Sequence, residues 1–293
     1  MNTLKRLILS FCFLFIIVGC EMDPSLEQAP GVPSQVNENN DDNSSTENAD
    51  GEPSVSILDR LASQEMYSTE ATGCASWLFP DMYTDENQVR LSRAMIATPM
   101  EESGDDRFPV ITIYQCLHCG GFDEDGYLAW IEELAVMISE KPGDVVLVIE
   151  PDTFAMSAND DEMNDILDKV CGIIADNAEN AAVFLDIGHS GWIDAEGVFE
   201  LVSQYENYDK IDGWASNTSN FQPMELEELF ADELYELTDK PVIIDTSRNG
   251  CGIPSTIYNP ADDEWCPGDE FSVHEDNPAI LFNYYNKPSD EED

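Results

Sequence analysis

Acidic side chains able to hold or release a proton recur directly after apolar runs in this chain. VVLVIE at 145–150 is followed by Pro151 and Asp152, AVFLDI at 182–187 carries Asp186 and leads to His189, IDGWAS at 211–216 leads to Asn217 and Asn220, and PVIID at 241–245 ends in Asp245 with Arg248 close behind. A carboxylic acid can serve as a general acid near neutral pH only if burial or a neighbouring negative charge raises its pKa. Asp152, just past a buried strand, is the residue placed for that role. Arg248 and Lys287 are the only lysine or arginine residues after Lys240. Arg248 is read as the partner of a carboxylate such as Asp245, holding it ionised. His189 with Asp186 has the composition of a general-base pair, but no serine or cysteine nucleophile motif accompanies it, which argues against a catalytic triad.

Elements of two kinds must position these groups. Apolar runs at 108–115, 145–150, 182–187, 211–216, 241–245 and 279–286 alternate with amphipathic segments near 126–141, 160–177, 196–206 and 223–238. The runs are continuous rather than alternating, as expected of parallel strands covered on both faces. The expected fold is α/β, a TIM-like β/α barrel forming a single catalytic domain. In such a barrel the carboxyl ends of the strands share one rim, so Asp152, Asp186, His189, Asn217, Asn220, Asp245, Arg248 and Lys287 should converge there. Loop polarity alone accounts for some of these positions. It accounts poorly for the two isolated basic residues.

The ends and the composition bound the setting. Residues 1–19 carry Lys5 and Arg6 ahead of a short apolar run, the pattern of a secretory signal. Ile17-Val18-Gly19-Cys20 resembles a bacterial lipobox, so Cys20 is read as a lipidation site that anchors an exported protein to a membrane, at the cell surface or in the periplasm; an ordinary signal peptide with a chance cysteine is the alternative. Residues 20–57 are poor in aromatic and β-branched residues and read as a disordered acidic linker, leaving 58–293 as the domain. The chain has 61 acidic against 12 basic residues, a net charge of −49 spread through every segment. Nucleic acid is thereby excluded as a partner, and a neutral substrate suits the surface better than an anionic one.

Six cysteines remain beyond Cys12 and Cys20: Cys74, Cys116, Cys119, Cys171, Cys251 and Cys266. An even number in an exported chain reads as disulfides. Zinc is the competing reading of Cys116-x-x-Cys119, but no second pair of comparable spacing follows. No metal or cofactor is expected.

The segments VLVIEPDTFA, FLDIGHSGW, SNTSNF, IIDTSRNG, EWC and KPSDEED, in this order, resemble glycoside hydrolase family 6, the cellobiohydrolases and endo-β-1,4-glucanases. The resemblance implies a distorted β/α barrel acting as a monomer on a β-glucan, with inversion at the anomeric carbon. Inversion requires one carboxylic acid to protonate the leaving oxygen and a carboxylate about 6.5–9.5 Å away to activate water. Asp152 matches the family's acid and Asp293 its proposed base. Tyr114, Trp192 and Trp265 match sugar-stacking positions, and His189 a sugar hydrogen-bonding one. Asn217, Asn220, Lys287 and Glu291 complete the expected substrate contacts. Trp77, Trp130 and Trp214 read instead as core.

Two departures follow from the same resemblance. Ala195 stands where a second platform would be, which shortens the row of subsites. The family's aspartate that raises the acid's pKa falls within Cys116-Leu117-His118-Cys119-Gly120-Gly121, where His118 occupies its place. Asp123 or Asp125 is expected to supply the missing charge. The family bridge maps onto Cys119 with Cys171, Cys251 is expected to pair with Cys266, and Cys74 with Cys116 is the residual pair. Trimmed covering segments imply an open cleft and cutting within chains; the altered residues before Cys119 leave a glucan-binding protein of impaired activity as the alternative.

Overall fold

The computed structural model describes residues 55–67, 76–78, 82–104, 106–254 and 266–285. Cys20, Cys74, Trp265, Lys287, Glu291 and Asp293 lie outside them. Among the described residues, ten strands and seven α-helices follow in chain order: α1 (Ile57–Leu61), β1 (Glu65–Met66), β2 (Ser76–Leu78), α2 (Glu86–Ser103), β3 (Arg107–Phe108), β4 (Val110–Ile113), α3 (Glu124–Ser139), β5 (Val145–Ile149), α4 (Thr153–Met156), α5 (Asp161–Asn177), β6 (Ala181–Asp186), α6 (Ala195–Val202), β7 (Gly213–Ser216), α7 (Met224–Thr238), β8 (Val242–Asp245), β9 (Ser272–Val273) and β10 (Ile280–Tyr284). The main sheet runs β2-β4-β5-β6-β7-β8-β10-β9, parallel throughout except for the last pair, while β1 and β3 form a small parallel ladder of their own. Among the described residues no ladder joins β2 to β9, so the barrel is open between them.

The continuous apolar runs are explained by two cores, one on each face of the sheet. Val145, Leu147, Ile149, Val183 and Leu185 pack outward against the helices. Val146, Val148, Ala182, Phe184, Ala215, Ile243, Phe282 and Tyr284 fill the inner face, with Leu61 of α1 and Phe108. Because successive side chains on a strand point to opposite faces, a strand buried on both sides is apolar almost throughout, and Thr112 and Asn283 are buried polar exceptions within β4 and β10. Truncating one such side chain, Leu185→Ala for example, should cost about 3 kcal/mol.

The covering helices are set by their caps and stripes. In α5 the Asp160 side chain accepts from the Met163 backbone N–H, Asp161 and Glu162 fill the first turn, and Met163, Ile166, Leu167, Val170, Cys171 and Ile174 form the buried stripe. Asp194 caps α6 in the same way by accepting from Gly197. Trp130 and Trp214 are core, each with its indole N–H satisfied, by the hydroxyls of Ser92 and Thr238. The predicted elements from 108 onward are present; α1, β2, α2 and β9 are additional to them.

At the amino ends of the strands, Arg60 of α1 grips both oxygens of the buried Asp144 just ahead of β5. A hollow of about 490 Å³ lies nearby, bordered by Lys141, Asp144 and Asp176, at the pole opposite the carboxyl ends. The candidate chemistry lies at the other pole.

Candidate active site

The backbone itself distinguishes the carboxyl-end rim. Six described residues other than glycine have positive φ, and five of them, Cys116, Glu150, Asp152, Asn217 and Ser219, follow the carboxyl ends of β4, β5 and β7. Each such conformation costs about 1–3 kcal/mol and persists only where the surroundings enforce it, which is most common at functional sites. Here the enforcing contacts come from buried carboxylates.

Asp152 follows β5 at φ 68°, with Pro151 and Thr153 buried on either side and part of its own surface open. Its backbone N–H donates to Asp186 Oδ1 at 2.9 Å, and the same oxygen accepts from Gly188 N–H at 2.9 Å. Asp186 Oδ2 is buried as well, and the Thr218 side chain also acts on this carboxyl. Burial pushes the Asp152 carboxyl up to about 7, against the pull of the Arg248 guanidinium. Burial, followed by repulsion from Asp152, also raises Asp186 well above the usual carboxylate range. The two behave as a coupled pair that resists full ionisation. An aspartic acid that remains protonated near neutrality and reaches the solvent side of a barrel rim can donate a proton to a leaving group.

Glu150 forms the layer beneath. It is fully buried, and its Oε1 accepts from Gln115 N–H at 2.8 Å and from the Tyr127 hydroxyl at 2.6 Å; the backbones of Leu117 and Cys116 also act on it. Burial raises its carboxyl to about 7 despite these bonds. Glu150 thereby holds the turn at 115–119 in place. In that turn His118 Nδ1 lies 2.9 Å from Thr153 Oγ1, and burial lowers the imidazole to about 4. At neutral pH His118 is uncharged, so it neither suppresses Asp152 as an acid nor supplies a negative charge. Asp123 and Asp125 do not supply one either: both side chains are exposed at the start of α3, and neither is among the charges acting on Asp152. The carboxylate beside Asp152 is Asp186, contributed by the next strand.

Burial raises both Asp152 and Asp245, and the Arg248 guanidinium acts on both in the opposite direction, while its Nη1 donates to the Ser219 carbonyl at 2.7 Å. Asp245 accepts from Ser219 and Ser247 N–H groups and so fixes both loops. Asn217 departs from its expected role as a sugar contact. It is fully buried, and its amide donates to the carbonyls of Asp245 and Gln222 and accepts from Gln222 N–H. Its function is to hold the loop after β7, whereas Asn220 is only half-buried.

On the next loop, His189 Nδ1 accepts from Gly191 N–H at 3.1 Å, which places the ring proton on Nε2, and burial lowers its pKa to about 4. The imidazole is therefore a neutral donor rather than a base paired with Asp186. Its ring packs 4.2 Å from that of Trp192, which is 43% exposed, as a flat stacking surface requires. Tyr114 meets Trp77 edge-on at 5.5 Å, so Trp77 joins the β4 end of the rim rather than the deep core. His274 is half-buried and bonded through Nε2 to Asn283 Oδ1 at 3.0 Å.

Glu227 was not among the expected residues. This fully buried carboxylate on α7 accepts from Ser190 N–H at 3.1 Å and from the Ser216 hydroxyl, joining the loop of His189 and Trp192 to the end of β7. The sequence does carry a signal for it. Glu227 precedes Phe230, Ala231 and Leu234 by three, four and seven residues, and all four share the buried stripe of α7.

The cysteines pair differently from expectation at one end. Cys116 is bonded to Cys119, and Cys171 is a buried free thiol, so neither the Cys119–Cys171 bridge nor a Cys74–Cys116 pair is formed. Three residues of separation allow the closer pairing, and spacing alone does not decide connectivity. Cys251 is bonded to Cys266.

The family model for glycosyl hydrolases family 6 matches residues 117–272. Endoglucanase A of Cellulomonas fimi is 28% identical over 153 residues, 50% of this chain and 30% of that protein; Endoglucanase A of Thermobispora bispora is 26% identical over 177 residues, 55% of this chain and 37% of its own length. The matches thus span about a third of these curated relatives. Among solved structures, the endoglucanase Cel6 from Mycobacterium tuberculosis superposes with a TM-score of 0.63 at 23% identity, covering 78% of this chain and 88% of that one. The GH6 enzyme of Orpinomyces sp. Y102 gives 0.65 at 20%, covering 80% and 86%. With a matching family model over more than half its length, and a shared fold on which its proton-holding carboxyl ends the third strand of the sheet, this chain belongs to glycosyl hydrolases family 6.

Proposed function

We propose that this protein hydrolyses β-1,4-glucosidic bonds of cellulose or a related β-glucan with inversion, Asp152 acting as general acid. The observation that carries this reading is the Asp152 carboxyl, held near 7 by burial beside Asp186 at the rim. Asp152 protonates the departing glycosidic oxygen while water, activated by a carboxylate across the cleft, attacks the anomeric carbon. Asp186 is too buried to meet that water, so the base role is assigned to Asp293, with Lys287, Glu291 and Trp265 completing the substrate contacts. Trp192 and Tyr114 stack on the sugar rings, and His189 Nε2–H donates to a hydroxyl. The named endoglucanase relatives favour cutting within chains. In this reading the protein is exported and held at a membrane by lipid on Cys20, and works as a monomer.

Release of reducing ends from carboxymethyl-cellulose or mixed-linkage glucan tests the activity, and Asp152→Ala should abolish it. Optical rotation of the fresh product should report inversion, and a fall in viscosity that outruns reducing-end release should report internal cutting. The uncharged His118 at the place of the family's aspartate favours a second reading, a glucan-binding protein of low turnover. Binding to these glucans without release would select it.

A further inference from the structure

We propose that Cys116, His118 and Cys119, once their disulfide is opened by a thiol or phosphine reductant, form a binding site for a thiophilic divalent cation, of which zinc fits best. The two sulfurs and one imidazole nitrogen already lie within 4.8 Å of one another, and His118 Nε2 is 3.5 Å from Cys116 Sγ. A tetrahedral zinc site, with metal–sulfur bonds of about 2.3 Å and metal–nitrogen bonds of about 2.0 Å, requires its ligand atoms to be roughly 3.3–3.8 Å apart. Opening the disulfide lets the sulfurs separate to that spacing.

Three further features favour an ion here. His118 Nδ1 is engaged by Thr153 Oγ1 at 2.9 Å. With the proton on Nδ1 donated to Thr153, the Nε2 lone pair faces the sulfur, the arrangement that orients a metal-binding histidine. The turn is held from beneath by Glu150, so the ligands need not be gathered from a flexible loop. Access is available as well: His118 and Cys119 are half-buried, and a Cβ added at Gly120 or Gly121 would meet no atom within 4 Å beyond the adjoining residues of the turn. No oxygen ligand belongs to the cluster, which disfavours calcium and magnesium.

The chemistry balances. A thiol reductant gives two electrons and two protons and is oxidised to its own disulfide; a phosphine gives the two electrons, and one water supplies both protons and the oxygen of the phosphine oxide. Either route converts the disulfide into two thiols. Binding the cation then releases the two thiol protons, and two thiolates with one neutral imidazole offset its charge.

The test uses the full chain carrying Cys251→Ser and Cys266→Ser, reduced with tris(carboxyethyl)phosphine and titrated with cobalt(II). The expected result is one equivalent bound only after reduction, with thiolate-to-cobalt charge-transfer and tetrahedral d–d absorption, displaced by one equivalent of zinc. Adding Cys116→Ser together with Cys119→Ser should remove the charge-transfer bands, and His118→Ala should weaken binding by roughly tenfold or more. The proposal is overturned if the reduced chain takes up no cobalt, if the bands survive Cys116→Ser with Cys119→Ser, if His118→Ala binds as tightly as its parent, or if far-ultraviolet circular dichroism shows that reduction unfolds the domain. None of these readouts depends on glucan hydrolysis, so the proposed activity and the metal site stand or fall separately.

Discussion

Asp144 and Asp152 flank the same strand, and the contrast between them separates architecture from chemistry. Asp144, ahead of β5, is buried, but Arg60 binds both of its oxygens and Gln64 adds a third donor. Asp152, past the other end of β5, has no such clasp, and its neighbours Asp186 and Glu150 are held by backbone N–H groups and hydroxyls rather than by a bound cation. One pole of the barrel neutralises its carboxylate with a bidentate guanidinium. The other holds three carboxyl groups in low-dielectric surroundings with Arg248 set between Asp152 and Asp245. Incomplete pairing is what leaves a proton available.

The largest expected effect tests that contrast directly. Asp152→Asn should lower turnover by about 10²–10⁴-fold in reducing-sugar assays. At pH 8 it should raise the melting temperature, because it removes a buried charge. Asp144→Ala should do the reverse, costing about 2 kcal/mol in denaturant unfolding while activity per folded molecule is retained; the figure is kept low because Arg60 is about one-third exposed.

A smaller effect concerns pH. Asp152 and Glu150 have ordinary values of 3.8 and 4.5 and are raised to about 7 in the fold, so below about pH 4 folded and unfolded chains bind these protons alike. As pH rises to about 7 the unfolded chain loses its protons first, and stability should fall across that window. Melting curves at stepped pH would show this, and Glu150→Gln should flatten the slope. For catalysis the alkaline limb should lie near 7. Arg248→Gln removes the charge that lowers Asp152 and should move the limb upward; His118→Asp, which introduces a carboxylate against Thr153, should move it the same way. A limb that stays put in both variants would dissociate it from Asp152. The smallest effect belongs to Glu227→Gln, which should raise KM several-fold with kcat nearly kept, since it loosens the loop of His189 and Trp192 without touching the acid.

Strands β4 to β8 and β10 were legible because burial on both faces leaves a nearly unbroken apolar signature that ends at a polar residue. The same rule located Asp152, Asp186 and Asp245. Three-residue β2 carries no such signature, and in α2 Pro99 lies within the helix and interrupts its pattern. Asn217 was misjudged because polarity at a strand end does not reveal whether an amide faces solvent or its own loop. Asp123 was favoured by its place in the chain, but the partner of Asp152 comes from the neighbouring strand, a relation that only the sheet order discloses. Glu227 was obscured by the many other acids of α7, although its position on the apolar stripe set it apart.

The Arg60–Asp144 clasp also has a practical consequence for building with this domain. Arg60 donates in addition to the Val55 carbonyl, so Val55 lies at the amino-end pole, opposite the rim that carries Asp152. A fusion partner, surface tag or immobilising support attached ahead of Val55 would therefore leave the rim facing away from its attachment, free to approach an insoluble fibre.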